Sequence, residues 1–248
     1  MITEPIQWLC AALGAFMVGL SKAGITGISI LSIALFNFVF PSSKQTSGLV
    51  LPLLIFGDFV AVFSYRKHAH WRFVWRLFPW TAAGVFIGYL TLGRISDHSA
   101  KILIGSIIIV LAALSYWRRA RAGKDDASTA TVHWSVAAII GMTAGFITLI
   151  ANAAGPLMAI YFLAMRLPKM EYVGTAAVFF MLLNLFKVPF MVDLGLITPR
   201  SFNFNLLLAP AVLAGAFAGR WVVKHINQDV FEQMVLALSA IGGVLLLL

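Results

Sequence analysis

The sequence predicts an all-α polytopic membrane protein of two inverted repeats, each a pair of short or broken helices followed by three full transmembrane helices. Three observations predict it. Apolar runs of spanning length recur along the chain, the two halves share a spacing of Pro and Gly, and the basic residues fall mainly on one side. Of 248 residues, 61% are hydrophobic and 11% charged, against about 25% charged in a soluble domain. Runs such as Ile102 to Trp117 and Val235 to Leu248 approach the roughly 20 residues that cross a hydrocarbon core of about 30 Å. Stretches such as LIGSIIIVLAAL do not alternate apolar with polar residues, which argues against a transmembrane β-barrel.

Ten hydrophobic segments can be drawn in order. They lie at about 6–20, 25–40, 47–64, 74–92 and 102–117, then at about 134–150, 156–165, 172–192, 204–223 and 231–247. Between the two sets, RRARAGKDDASTATVH is polar and carries Gly, Ser and Thr, as a linker does. The expected organisation is a first transmembrane repeat over 1–118, a cytoplasmic linker over 119–133 and a second repeat over 134–248. A shift of 126 positions brings Gly19 onto Gly145, Gly48 onto Gly174 and Asp58 onto Asn184. Later in the chain, a shift of 131 brings Pro79 onto Pro210, Gly84 onto Gly215, Gly88 onto Gly219 and Ile95 onto Ile226. PWTAAGVFIG and PAVLAGAFAG thus share one pattern. Weak internal symmetry of this kind marks transporter folds.

Charge decides the relative orientation of the halves. With a short pair and three spans per repeat, an odd number of net crossings separates them. With the N-terminus outside, the inside loops hold Arg66, Lys67, Arg72, Arg76, Arg118, Arg119, Arg121, Lys124, Arg166, Lys169, Arg220 and Lys224. The outside loops hold Lys44, Arg94, Lys101 and Arg200, so the division is twelve to four. Four spans per half, in parallel, would make it nine to seven. The positive-inside rule favours inversion. It also accounts for the net charge of +9 without a nucleic-acid partner. Cys10 is the only cysteine, so no internal disulfide forms. MITEPIQ lacks the basic start of a cleaved signal peptide, and the first hydrophobic segment is taken as part of the mature protein.

The short pairs break at corresponding places, GLSKAGITG over 19–27 and GFITLIANAAGP over 145–156. In lipid, a broken helix is tolerated only where it is buried or lines a wet cavity. Helix ends left there present N–H groups and a positive dipole end to an anion. The expected substrate-binding residues are Ser21, Lys22, Gly24, Thr26, Asn152, Gly155 and Thr175, and Thr148 offers a further donor. Packing of small residues is the competing explanation for the glycines, and Pro156 also suits the start of a helix.

Ionisable groups within spans are costly and usually face a cavity or a partner. Asp58 lies halfway through the third segment, and its repeat mate Asn184 is uncharged. Lys187 lies just before Pro189, placed either to bind an anion or to reach the interface. Asp58, Asn184 and Lys187 are the candidates for coupling or for matching substrate charge. His68, His70, His98, His133 and His225 form no tight ligand motif. With no nucleophilic site and no phosphate loop, neither an enzyme nor a metal or cofactor is expected.

These features resemble the TauE/SafE sulfite exporter family, also called the 4-toluene sulfonate uptake permeases. AAGPLMAIYFLAMRLPKMEYVGTAAVFF is similar in its spacing of Gly155-Pro156, Leu167-Pro168 and Gly174-Thr175. The first half is similar in its basic loop, its Pro with spaced Gly, and its ISD turn. The resemblance covers nearly the whole chain. It implies a transporter, an exporter by that family's description, for sulfite, sulfoacetate or other organosulfonates. The expected setting is a bacterial-type inner membrane, with alternating access around a midplane site. A transporter or passive channel for other small anions, such as carboxylates, is the alternative. The expected partners are a small anion and the lipid bilayer. Faces such as AGAFAG leave a homodimer open.

Overall fold

The computed structural model describes residues 4–40, 43–92, 106 and 134–247. Among them there is no strand. The helices run α1 Pro5–Lys22, α2 Ser29–Val39, α3 Ser43–Tyr65, α4 Trp71–Thr91, α5 Trp134–Ala151, α6 Ala154–Ala164, α7 Lys169–Asp193, α8 Pro199–His225 and α9 Gln228–Leu247. Short 3₁₀ turns precede α2 (Thr26–Ile28) and follow α3 (Arg66–His68). The expected segment at 102–117 and the linker at 119–133 lie outside the described residues.

Local chemistry fixes several helix ends. Pro5 opens α1 at a position whose N–H would have no partner in the helix. Pro199 opens α8 behind Thr198, whose hydroxyl accepts from the Ser201 N–H while Ser201 Oγ accepts from the Thr198 N–H. Lys22 closes α1, and Lys224 and His225 close α8, where cations suit the negative dipole end. Pro52, Pro79, Pro189 and Pro210 lie inside α3, α4, α7 and α8.

Helices α3, α4, α5, α7 and α8 are long and apolar enough to cross a membrane, and the fold is that of a multi-pass helical membrane protein. Its polarity is distributed accordingly. Phe63 is 80% exposed and Leu207 69%, whereas Asp58, Lys187 and Asn205 are 0% exposed. Trp71, Trp75, Trp134 and Trp221 also lie on the outer surface.

Helix α1 packs along α8, α4 along α5, and α3 along α7. The first two crossings are bare backbone contacts. A Cβ on Gly19 would stand 2.0 Å from the Val212 carbonyl oxygen, and one on Gly145 2.0 Å from that of Thr81. One on Gly215 would meet the Phe16 oxygen at 2.0 Å, and one on Gly84 the Met142 oxygen at 2.0 Å. The contacts are repeat mates. Gly19 and Phe16 map onto Gly145 and Met142 by the shift of 126, and Thr81 and Gly84 onto Val212 and Gly215 by that of 131. Gly88 against Phe146 and Leu149 is matched in the same way by Gly219 against Leu20 and Ala23. The small face AGAFAG therefore places Gly215 and Gly219 against α1 of the same chain.

Candidate functional site

The first break follows from Gly24. The Ala23 N–H still bonds the Gly19 carbonyl, but Gly24 turns to φ +121°, a region L side chains rarely adopt. A Cβ there would also lie 2.7 Å from Val173 Cγ2. The second break follows from Asn152, at φ 51°. Asn is among the few residues that tolerate this left-handed conformation. Its N–H closes α5 on the Thr148 carbonyl at 3.0 Å. Helix α6 then starts at Ala154 with no side-chain cap. Pro156 falls in its first turn, where a missing N–H costs nothing.

Two cations and one carboxylate meet at these breaks. Lys22 Nζ lies 2.8 Å from Asp58 Oδ1 and 4.8 Å above the Phe180 ring. A Cβ on Gly57 would come within 2.8 Å of Lys22 Cγ, so that glycine makes room for the lysine stem. Asn184 Nδ2 donates to Asp58 Oδ2 at 2.6 Å. Lys187 Nζ donates to Asn152 Oδ1 at 2.6 Å, Thr148 Oγ1 at 3.0 Å and the Thr148 carbonyl at 3.2 Å. Three acceptors match the three N–H groups of an ammonium. Among the described residues no carboxylate lies within 4 Å of Lys187. Asn152 Nδ2 donates in turn to the Ser47 carbonyl at 2.7 Å, and Ser47 Oγ to the Leu149 carbonyl at 3.0 Å. The cluster thus buries two lysine amines and one carboxylate beside a helix N-terminus.

The pocket at this cluster is lined by fourteen residues, eight of which form four repeat-mate pairs: Lys22 with Thr148, Ser29 with Gly155, Leu54 with Phe180, and Asp58 with Asn184. Asp58 and Asn184 also bond each other directly. About 30 Å³ is open to the centre of a water molecule. One water needs roughly 10–15 Å³ on this measure, so the pocket has room for about two.

Of the residues expected to bind substrate, Ser21, Lys22, Gly24, Asn152 and Gly155 line the pocket, as do Asp58 and Asn184. Lys187 stands behind the lining, holding Thr148 and Asn152. Thr26 has its backbone in the 3₁₀ turn, and its side chain lies outside the described residues. Thr175, also expected to bind substrate, is not part of this lining; its hydroxyl accepts from the His70 N–H at 2.9 Å, a contact between the halves. Thr175→Val is expected to cost about 1 kcal/mol of stability and to leave anion affinity unchanged, as unfolding and calorimetric titration would show.

Sequence reasoning missed Ser29, Leu54, Val173, Ala176, Ala177 and Phe180. The shift of 126 could have found Ser29, the mate of the expected Gly155, whereas Leu54 and Phe180 are mates only of each other.

Ionisable side chains buried at helix breaks of a transmembrane bundle are the kind of feature that marks a functional site inside a membrane. The family model described as sulfite exporter TauE/SafE matches residues 11–246. The chain belongs to that family, one of membrane anion exporters. No curated protein and no solved structure matches it significantly.

Asn152 offers a direct test of the pocket. Asn152→Gly keeps a backbone suited to φ 51° and removes only the amide. It is expected to stay folded and to lose at least about tenfold in anion affinity, the magnitude of one good hydrogen bond to a charged group. Unchanged affinity in calorimetry would remove Asn152 from the site.

Proposed function

We propose that the protein is a secondary transporter that exports small sulfur-containing anions, such as sulfite, sulfoacetate or other organosulfonates, by alternating access around the Lys22–Asn152 pocket. The observation that carries this reading is the burial of two lysines with a single carboxylate beside the uncapped start of α6. Buried ionisable groups inside a membrane mark functional sites, and a small oxyanion would stabilise an ammonium there. Its oxygens would accept from Lys22 Nζ and from backbone N–H groups of the first turn of α6.

Inverted repeats supply the rocking unit in this reading. The reciprocal contacts of α1 on α8 and of α5 on α4 support a two-fold relation between the halves. The distribution of Lys and Arg supports placing its axis in the membrane plane. The repeats would span 1–118 and 134–248, joined by a cytoplasmic linker at 119–133. The same distribution supports an inner membrane location with the N-terminus outside.

The test is counterflow in proteoliposomes preloaded with unlabelled anion. Transient accumulation of labelled sulfite or sulfoacetate is expected. Equilibration without accumulation would make the protein a channel. Equal accumulation of matched carboxylates would discard selectivity for sulfur anions, and no movement of any anion would remove the reading.

A further inference from the structure

We propose that the Asp58 carboxylate is a resident ligand of Lys22 that the transported anion displaces, and that Asp58 takes up one proton as Lys22 leaves it. This inference rests on the transporter reading and assigns its coupling. In the structure Lys22 Nζ is engaged by Asp58 Oδ1 at 2.8 Å. Lys22 also lines the pocket that the anion would enter. An anion at that ammonium and the Asp58 carboxylate therefore compete for the same cation.

The surroundings of Asp58 decide its fate once Lys22 departs. Its side chain is 0% exposed. From α1 it faces Lys22. From α7 it meets Asn184, and Lys187 on that helix is committed to Thr148 and Asn152. Helix α7 also carries Lys169, Glu171 and Asp193, towards its two ends. Helices α2 and α5, which also touch α3, contain no ionisable residue. The ionisable residues of α8 are Arg200, Arg220, Lys224 and His225, and Arg220 bonds Ser64, more than a turn along from Asp58.

Lys187 is the other amine close enough to act on Asp58 through space, but its N–H groups are held by Thr148 and Asn152, so it does not take the place of Lys22 on the carboxylate. A carboxylate left without its ion partner in such surroundings is far more costly than a neutral carboxyl. The exchange balances simply. The bond from Lys22 Nζ to Asp58 is replaced by one from Lys22 Nζ to the anion, and a solvent proton converts the Asp58 carboxylate to a carboxyl. Asn184 Nδ2 still donates to Oδ2. Each anion thus enters with one proton, whatever its own charge.

The experiment is proton uptake by the full-length protein in detergent, weakly buffered near pH 7, with an indicator dye. The probes are isethionate, a fixed monoanion, and sulfoacetate, a fixed dianion. About one proton is expected per anion bound, for both probes. The dissociation constant should rise about tenfold for each pH unit above neutral. Asp58→Asn is expected to take up no proton, to bind at least about tenfold tighter, and to lose the pH dependence. If that variant does not fold, the stoichiometry of the unmodified protein decides.

Binding without proton uptake would overturn the exchange and leave the pocket as an anion site. Uptake persisting in Asp58→Asn would assign the proton to another group and overturn it equally. If neither probe nor any other anion of the counterflow panel binds, the transporter reading fails, and the exchange with it.

Discussion

Replacing Lys22 by methionine is expected to abolish anion binding and to lower stability by about 3–5 kcal/mol, the usual cost of breaking a buried pair from one side. Methionine fills a similar volume beside Gly57 and over Phe180 but brings no charge. Asp58, fully buried and 2.8 Å from the lysine in the intact protein, then loses its cation. Two measurements separate the effects. Denaturant unfolding in detergent reports the loss of stability, and calorimetric titration reports the loss of binding. The double variant Lys22→Met with Asp58→Asn removes the orphaned charge and is expected to recover most of the stability. It should recover none of the binding. Such non-additivity is expected of residues in direct contact. A double variant no more stable than Lys22→Met would mean that the ion pair is not what the single substitution breaks.

Gly84→Ala and Gly145→Ala are the other substitutions with large expected effects. Each adds a single methyl group, and each methyl would stand 2.0 Å from a backbone carbonyl oxygen of the neighbouring helix. A flexible side chain can move aside, but a helix backbone moves as a unit. Helices α4 and α5 would have to separate, at a cost of about 3 kcal/mol or more, at or beyond the upper end for overpacking. Gly19→Ala and Gly215→Ala make the equivalent contact between α1 and α8 and are expected to lose as much. Gly195→Ala serves as the control. Gly195 has nothing within 4 Å of an added Cβ, and its φ of +68° is the only obstacle, worth about 1–2 kcal/mol. Thermal unfolding of the five purified variants checks the ranking. A Gly84→Ala protein as stable as the Gly195→Ala control would show that the two helices cross with room to spare.

Much of the fold is legible in the sequence because the hydrophobic effect writes it there directly. Apolar run length gives the spans, and the polar interruptions at Ser21–Gly24 and Asn152–Gly155 give the two breaks. The charged residues Lys22 and Asp58 could be singled out because charge in a span is rare. Their pairing could not, since no local pattern tells a helix end near residue 22 that it will meet the middle of α3. Lys187 shows the same limit. Charge and position leave anion contact and an interfacial reach as alternatives. Only the tertiary fold, with α7 against α3 and α4, brings it to Thr148 and Asn152 and behind the pocket wall. Thr175 shows a related limit. No local pattern reveals that the turn after α3 brings the His70 N–H to its hydroxyl. Phe180 and its mate Leu54 carry no polar signal at all.

The bond between Asp58 and Asn184 has a consequence for how such a protein can come to exist. These two residues are counterparts, and they touch. In an assembly of two identical half-length chains, that position would meet its own copy. Both copies would then be carboxylates crowded against each other, or both amides offering Lys22 no ion partner. A single covalent chain frees the two copies to differ, so that one keeps the acid and the other becomes its hydrogen-bond donor. Fusion of the halves is therefore what allows an acid to stand opposite an amide at this position of the pocket.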